Sequence, residues 1–291
     1  VVAAHETRTR LEVEADRGLT PFVGRERELG SLVDAFERAR AGQGQVAFLV
    51  GEAGIGKSRL LLELRRRVGD EVAWHEGHCL SFGKAMTFHP LVDLMRRQFA
   101  IEETDDEAAI AVKIERGVAD VGGDGSSVAP YLKALLSIDP GDAAVKAMSP
   151  VERRGETFEA LRRLFMRAAE RRPQILVIED LHWIDSASEQ FLATLVDSVP
   201  ALRLLLVFTY RPGYTSPFGE RSYFTRVVPA ALTAEDSARM AAAVLATESL
   251  PDELRTLLGG KAEGNPFYVE EMVKSLEESG ALRRVGTRYE L

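Results

Sequence analysis

The sequence predicts an α/β fold: a parallel sheet with a helical insert, followed by a small helical lid. Three observations predict it. Short apolar runs alternate with helical patterns up to about residue 232, as expected of parallel strands buried on both faces. One of these runs, Gln45 to Val50, opens directly into Gly51-Glu52-Ala53-Gly54-Ile55-Gly56-Lys57-Ser58 and then a helical pattern. That stretch fits G-x-x-x-x-G-K-[ST] in the strand-loop-helix setting the spacing requires. After Thr233 the pattern becomes helical, which places a domain boundary near residue 232.

Taken in order, residues 1–19 are charged and mixed and read as a linker, with one weak helix over Glu6 to Asp16. Thr20-Pro21-Phe22-Val23-Gly24-Arg25 is a short turn opening an amphipathic helix with Leu29, Leu32, Val33 and Phe36 on its apolar face. The helix ends at Ala41-Gly42-Gln43-Gly44. The first strand and the Gly-rich loop follow, then a helix over Ser58 to Val68 and a second strand within Glu71 to Cys79. Residues 80–172 carry no strand signal and form a mostly helical insert. Within it Leu91, Leu94, Met95 and Phe99 mark one helix, and Gly122 to Ser127 an exposed loop. Ser149-Pro150-Val151-Glu152 is a capping box with proline at the first helical position, opening a helix whose core face is Phe158, Leu161, Leu164 and Phe165. Gln174 to Ile178 is a central parallel strand, Ser186 to Asp197 a helix, Leu204 to Thr209 another strand and Phe224 to Val228 an edge strand. Helices over Thr233 to Leu245, Asp252 to Leu258 and Pro266 to Leu276 make the lid. Two short strands about Gly286-Thr287 end the chain and are open to reading as the wing of a winged-helix unit.

Composition narrows the function classes. At 291 residues with 45% hydrophobic and 28% charged residues, the chain is an ordinary globular one with room for two domains. A formal net charge of −8 argues against a broad nucleic-acid or acidic-membrane surface. No run approaches the roughly 18 apolar residues of a membrane-spanning helix. The single cysteine, Cys79, rules out an internal disulfide and suits a reducing cytoplasm. The chain begins at Val1 rather than Met, and it reads as a segment of something longer.

The chemistry lies in three places. A loop that wraps backbone N–H groups around phosphate needs positions that tolerate positive φ and close approach, which Gly51, Gly54 and Gly56 supply. Lys57 brings a charge to the β- and γ-phosphates, Ser58 a hydroxyl to Mg²⁺, and the helix after them its N-terminal partial charge. The fold class is therefore a P-loop NTPase sheet. Ile175-Leu176-Val177-Ile178-Glu179-Asp180 is an apolar strand delivering two carboxylates to its exposed end, as metal binding and water activation require. Strand register makes Glu179 the metal-side acid and Asp180 the water-orienting one, with the roles exchangeable and Asp180 a further metal candidate. Arg211, at the end of the next apolar strand, is placed to contact the γ-phosphate. His75 and His78 face opposite sides of an alternating strand with Cys79 beside them and read as unligated strand residues. Arg153, Arg154 and Arg65-Arg66-Arg67 read as solvated helix faces.

GEAGIGKS, ILVIEDLHWID, LLLVFTYRP and GNPFYVEEM, preceded by FVGRERELG, resemble the STAND class of signal-transduction ATPases within the AAA+ group. The resemblance extends to bacterial ATPase modules beside class III nucleotide cyclase domains and in LuxR-type and maltose-activator-type regulators. TRTRLEVEADRGLTPFVGRE is similar to the linker after such a cyclase. The likeness covers nearly the whole chain, the insert only loosely.

The resemblance implies that Val23, Gly24 and Arg25 lie against adenine and ribose, that Arg211 is the first sensor, and that Gly264, Asn265 and Pro266 touch the base. The implied nucleotide-binding set is Val23, Gly24, Arg25, Gly51, Glu52, Ala53, Gly54, Ile55, Gly56, Lys57, Ser58, Arg59 and Pro266, with Lys57, Glu179, Asp180 and Arg211 acting on the phosphates. Glu179 departs from the pattern, since many relatives carry aspartate there, and this bears on magnesium geometry and hydrolysis rate. His182 and Trp183 fit the Leu-His-Trp pattern with a packing role equally open.

The expectation is a cytoplasmic, slowly hydrolysing ATP/ADP switch with Mg²⁺, partnered by other domains of its own chain: a cyclase upstream, helical repeats or a DNA-binding module downstream. Oligomerisation is compatible with it; direct contact of this segment with nucleic acid or membrane is not expected. A nucleotide-binding scaffold without turnover and a P-loop phosphotransferase are the alternatives.

Overall fold

The computed structural model describes residues 19–83, 86–122, 125–285 and 288–291. The expected linker and its weak helix therefore lie almost wholly outside the described residues, as do Gly123, Asp124, Gly286 and Thr287 of the two expected turns. The helices are α1 (Glu26–Arg40), α2 (Lys57–Val68), α3 (His89–Gln98), α4 (Glu107–Asp120), α5 (Gly125–Leu135), α6 (Ala143–Ala147), α7 (Pro150–Arg171), α8 (Ser186–Ser198), α9 (Ala234–Val244), α10 (Asp252–Lys261) and α11 (Pro266–Glu278). The strands are β1 (Gln45–Val50), β2 (Ala73–His78), β3 (Gln174–Glu179), β4 (Leu204–Tyr210), β5 (Phe224–Val227), β6 (Arg283–Val285) and β7 (Arg288–Glu290). The chain divides into two compact units. One comprises Ser31–Leu49 and Arg67–Val227; the other comprises the described residues up to Gly30, Val50–Arg66 and Val228–Leu291.

The first unit is built on a five-stranded sheet in the order β2-β3-β4-β1-β5. Parallel pairing sets Ala73 to His78 of β2 against Gln174 to Glu179 of β3, and β3 in turn against β4. Residues 175–178 and 204–208 have no exposed surface, which is why they read as continuous apolar runs rather than alternating ones. β5 is an edge strand, as its short and half-buried pattern suggests. Among the described residues the regular elements of the insert are helices: α3 packs on β2, while α5 packs on α4 and α7. The capping box forms as read, with Ser149 and Glu152 bonding reciprocally and Pro150 opening α7. On its core face Leu161, Leu164 and Phe165 are buried, and Phe158 is half-buried between the rings of Phe88 and Phe191.

Three local readings need correction. On α1 the buried stripe is Leu32, Ala35, Phe36 and Ala39, while Leu29 and Val33 are only half-buried; the small alanines sit where close packing is needed. The exposed loop expected to run through Ser127 stops earlier, since α5 begins at Gly125 and takes Ser126 and Ser127 into its first turn. Arg153 is half-buried rather than fully exposed, its Nη2 turning back 3.0 Å onto the Met148 carbonyl, close to the start of its own helix.

The second unit carries the Gly-rich loop, the start of α2, and α9 to α11 with the β6–β7 hairpin. Its core contains Leu232, Ala241, Leu254, Leu258, Ala262, Val269, Val273 and Leu282, with Val23 packed against it. No described helix is long and apolar enough to cross a membrane.

Candidate functional site

The loop Gly51–Gly56 leaves β1 and feeds α2, which starts at Lys57. Gly54 and Gly56 take positive φ, +77° and +101°. Gly51 does not, which corrects the sequence reading: what it supplies is space, because a Cβ there would meet the Ile55 side chain at 2.8 Å. The loop carbonyls are held one after another. Lys57 Nζ donates to Gly51 O at 2.8 Å and to Glu52 O at 3.0 Å. Asn265 Nδ2 donates to Ala53 O at 2.9 Å, the Phe267 N–H to Gly54 O at 3.3 Å, and Arg25 Nη2 to Ile55 O at 3.4 Å. The Leu60 N–H takes Gly56 O at 3.0 Å as the first turn of α2. Carbonyls tied to donors hold the peptide planes of the loop in place, as a backbone that is to present amides to an anion requires, although the Ile55 N–H itself bonds Glu52 O at 3.4 Å.

Around that loop the unit gathers most of the residues assigned to nucleotide. Arg25 is only 5% exposed and burial lowers its pKa, with Glu28 at 3.4 Å partly restoring it. A buried guanidinium on a loop carbonyl braces the loop, a role the sequence did not suggest. Gly24 lies so close to Asp236 of α9 that a Cβ would stand 2.6 Å from its carboxylate. Arg59 bonds Glu63 at 2.8 Å and the Thr20 carbonyl at 2.7 Å, with its guanidinium 5.9 Å from the centre of the Phe22 ring; it fastens the segment before α1. Ser58 is exposed on the first turn of α2. Gly264 accepts from the Leu232 N–H at 2.8 Å, and Asn265 caps α11 through Phe267 N at 3.1 Å, with Pro266 the first helical residue.

Glu179, Asp180 and Arg211 belong to the sheet unit. Glu179 ends β3, and the parallel register sets His78, the last residue of β2, directly beside it. His78 Nε2 lies 3.6 Å from Glu179 Oε1, and its Nδ1 lies 3.0 Å from Asp93 of α3, which Arg97 holds in turn at 3.1 Å. Burial alone would lower the His78 pKa, but the bonds to Asp93 and Glu179 and the two carboxylate charges raise it to about 10. His78 is thus a cation held against an acid, a pairing the sequence did not suggest. The missing signal was positional: β2 and β3 end together, so their last side chains meet. His75, by contrast, bonds Gln174 at 2.8 Å, and burial lowers its pKa.

Asp180 adopts the left-handed conformation at φ +57°, with its N–H bonded to the buried Thr209 hydroxyl at 3.0 Å and its side chain 45% exposed. Positive φ is uncommon for a residue other than glycine and is tolerated by aspartate. His182 Nδ1 stands 3.9 Å from its carboxylate. Asp185, the third acid of the run, is structural: it is buried and accepts from Ala187 N, Ser188 N, Ser188 Oγ and Phe88 N. Arg211 is exposed just beyond β4.

A family model described as the AAA ATPase domain matches residues 21–207. An uncharacterized protein of Rhizobium meliloti (strain 1021) is 30% identical over 272 residues, 89% of this chain, and the chain spans 25% of that protein's length. Among solved structures, a signal transduction ATPase with numerous domains (STAND) carrying a tetratricopeptide-repeat sensor, from Pyrococcus horikoshii, aligns at 16% identity and a TM-score of 0.47 over 88% of this chain and 31% of that one. Drosophila ORC bound to DNA aligns at 13% identity and 0.49 over 96% and 64%.

Proposed function

Because the chain belongs to the AAA ATPase domain family, we propose that it is an ATP-binding and slowly ATP-hydrolysing switch module of a larger cytoplasmic regulator, of the STAND class. The observation that carries this reading is the loop of the phosphate-binding spacing whose every carbonyl from Gly51 to Gly56 is held by a donor, an arrangement that suits a polyphosphate. Magnesium fits the same reading: Ser58 offers a hydroxyl and Glu179 a carboxylate, and the ion when bound would neutralise charge on the β- and γ-phosphates.

Each residue then has a task. The loop amides and Lys57 bind the phosphates, Val23, Gly24, Arg25 and Pro266 shape the nucleoside end, Asp180 orients the attacking water, and Arg211 contacts the γ-phosphate. Loss of that phosphate would be relayed through the lid to other domains of the same protein. The short share of the Rhizobium relative that the chain spans supports a module within a longer protein. Self-association is compatible with this role.

The His78–Glu179 pair favours one second reading, a nucleotide-binding scaffold without turnover, since an acid already paired with a cation is a weaker metal ligand. Purified protein distinguishes the two. The switch predicts co-purified ADP and slow phosphate release with ATP and Mg²⁺; the scaffold predicts bound nucleotide with release no faster than buffer. Absence of any nucleotide affinity would sink both.

A further inference from the structure

The structure assigns Asn265 as a positioning residue for phosphate binding, holding the P-loop from its carbonyl side; this rests on the nucleotide-binding reading above. Most donors to the loop carbonyls come from residues next to it or from the buried Arg25. The Ala53 and Gly54 carbonyls are different: they are held from the start of α11, by the Asn265 amide at 2.9 Å and the Phe267 N–H at 3.3 Å. A trans peptide is planar, so the carbonyl of one residue and the N–H of the next point in opposite directions. Fixing the Ala53 carbonyl therefore fixes the Gly54 N–H on the opposite edge of that peptide, and fixing the Gly54 carbonyl does the same for the Ile55 N–H, which bonds Glu52 O at 3.4 Å. These are amides of the stretch that the motif assigns to phosphate.

Asn265 does this with both ends of its side chain. Oδ1 accepts the Phe267 N–H at 3.1 Å as the cap of α11, and Nδ2 donates to Ala53. An amide carries its cap acceptor and its loop donor on two separate terminal atoms, whereas aspartate, an equal cap, has no donor, and the shorter serine has a single hydroxyl one bond nearer the backbone, occupied at the cap. The contact is close enough that a Cβ on Gly54 would stand 2.8 Å from Asn265 Oδ1 and 2.7 Å from Phe267 Cβ. The lid helix thus sets the orientation of phosphate-binding amides before nucleotide arrives, and phosphate occupancy and the position of α11 become one equilibrium.

The test is calorimetric titration of ADP and, by displacement, of adenosine into wild type and Asn265→Ser, which keeps a neutral cap oxygen and removes the loop donor. The expected result is an ADP affinity lower by about five- to tenfold, the worth of one hydrogen bond, with adenosine affinity unchanged. Equal losses for ADP and adenosine would assign Asn265 to the base side of the site and overturn the proposal, as would no loss at all. Should the serine variant melt well below wild type, Asn265→Thr, also a neutral cap without the amide, must give the same ADP-selective loss. A wild type that binds neither ligand would overturn the nucleotide reading and this inference with it, and is recognised because it appears without any substitution.

Discussion

The P-loop and the carboxyl end of β3 hold their functional groups by different means. In the loop the atoms proposed to bind phosphate are backbone amides, fixed because every carbonyl from Gly51 to Gly56 engages a donor from α2, the start of α11 or Arg25. At the end of β3 the atoms proposed to act are side-chain carboxylates. Glu179 is fixed through His78 and Asp93, while Asp180 has only its backbone tied down, by Thr209, and its carboxylate stays half-exposed. Backbone fixation suits a group that must be in place before ligand arrives. A side chain on a fixed backbone suits one that must move a proton or turn toward water. Binding and turnover should therefore fail separately.

The largest effect is expected from Lys57→Ala. Its ammonium holds Gly51 and Glu52 and is the group proposed to meet the phosphates, so ADP affinity should fall about a thousandfold and phosphate release should vanish. Calorimetry checks this, and retention of affinity within a few fold would mean the loop holds its shape without the lysine. Asp180→Asn comes next. Phosphate release should fall about a hundredfold while ADP affinity stays within threefold of wild type. A matched loss of both would erase the distinction between the two regions. Smaller again is Asp185→Ala, which strands four donors of the buried cap and should cost about 2 kcal/mol in denaturant unfolding without selective loss of ADP affinity. If it instead removed turnover from a stably folded protein, the third acid of the run would belong to the chemistry.

The loop was legible because it is contiguous: eight adjacent residues carry both its geometry and its charge, and the strand before it is a plain apolar run. The sheet and the helical insert were legible for the same reason, each element announcing itself by its own period. What could not be read were the groups assembled across the chain. His78 meets Glu179 only through strand register, and Asp93 reaches His78 from a helix 15 residues on. Asn265 reaches Ala53 across 212 residues. Arg25 sits in a legible motif, but its burial against Ile55 depends on packing that no local pattern encodes. Gly51 shows the finer limit: the residue type does not say which of its two reasons applies, since close approach and positive φ call for the same amino acid, and at Gly51 it is close approach alone.

The smallest effect separates the two histidines of β2. His75 is half-buried against Gln174, and the loss of water around it holds its pKa below the ordinary 6.5, the hydrogen bond only partly offsetting that. Protonation therefore favours the unfolded chain. The contribution of neutral His75 to stability is complete above pH 6.5 and is lost as the pH falls through its lower folded-state value. His75→Gln cannot take up that proton. Melting temperatures measured from pH 7.5 down to about pH 5 should fall less steeply in the variant than in wild type, with any offset between the two constant above neutrality. Parallel curves would show that His75 is already hydrated enough to titrate normally, and that burial at the start of β2 perturbs a histidine far less than the paired carboxylates do at its end.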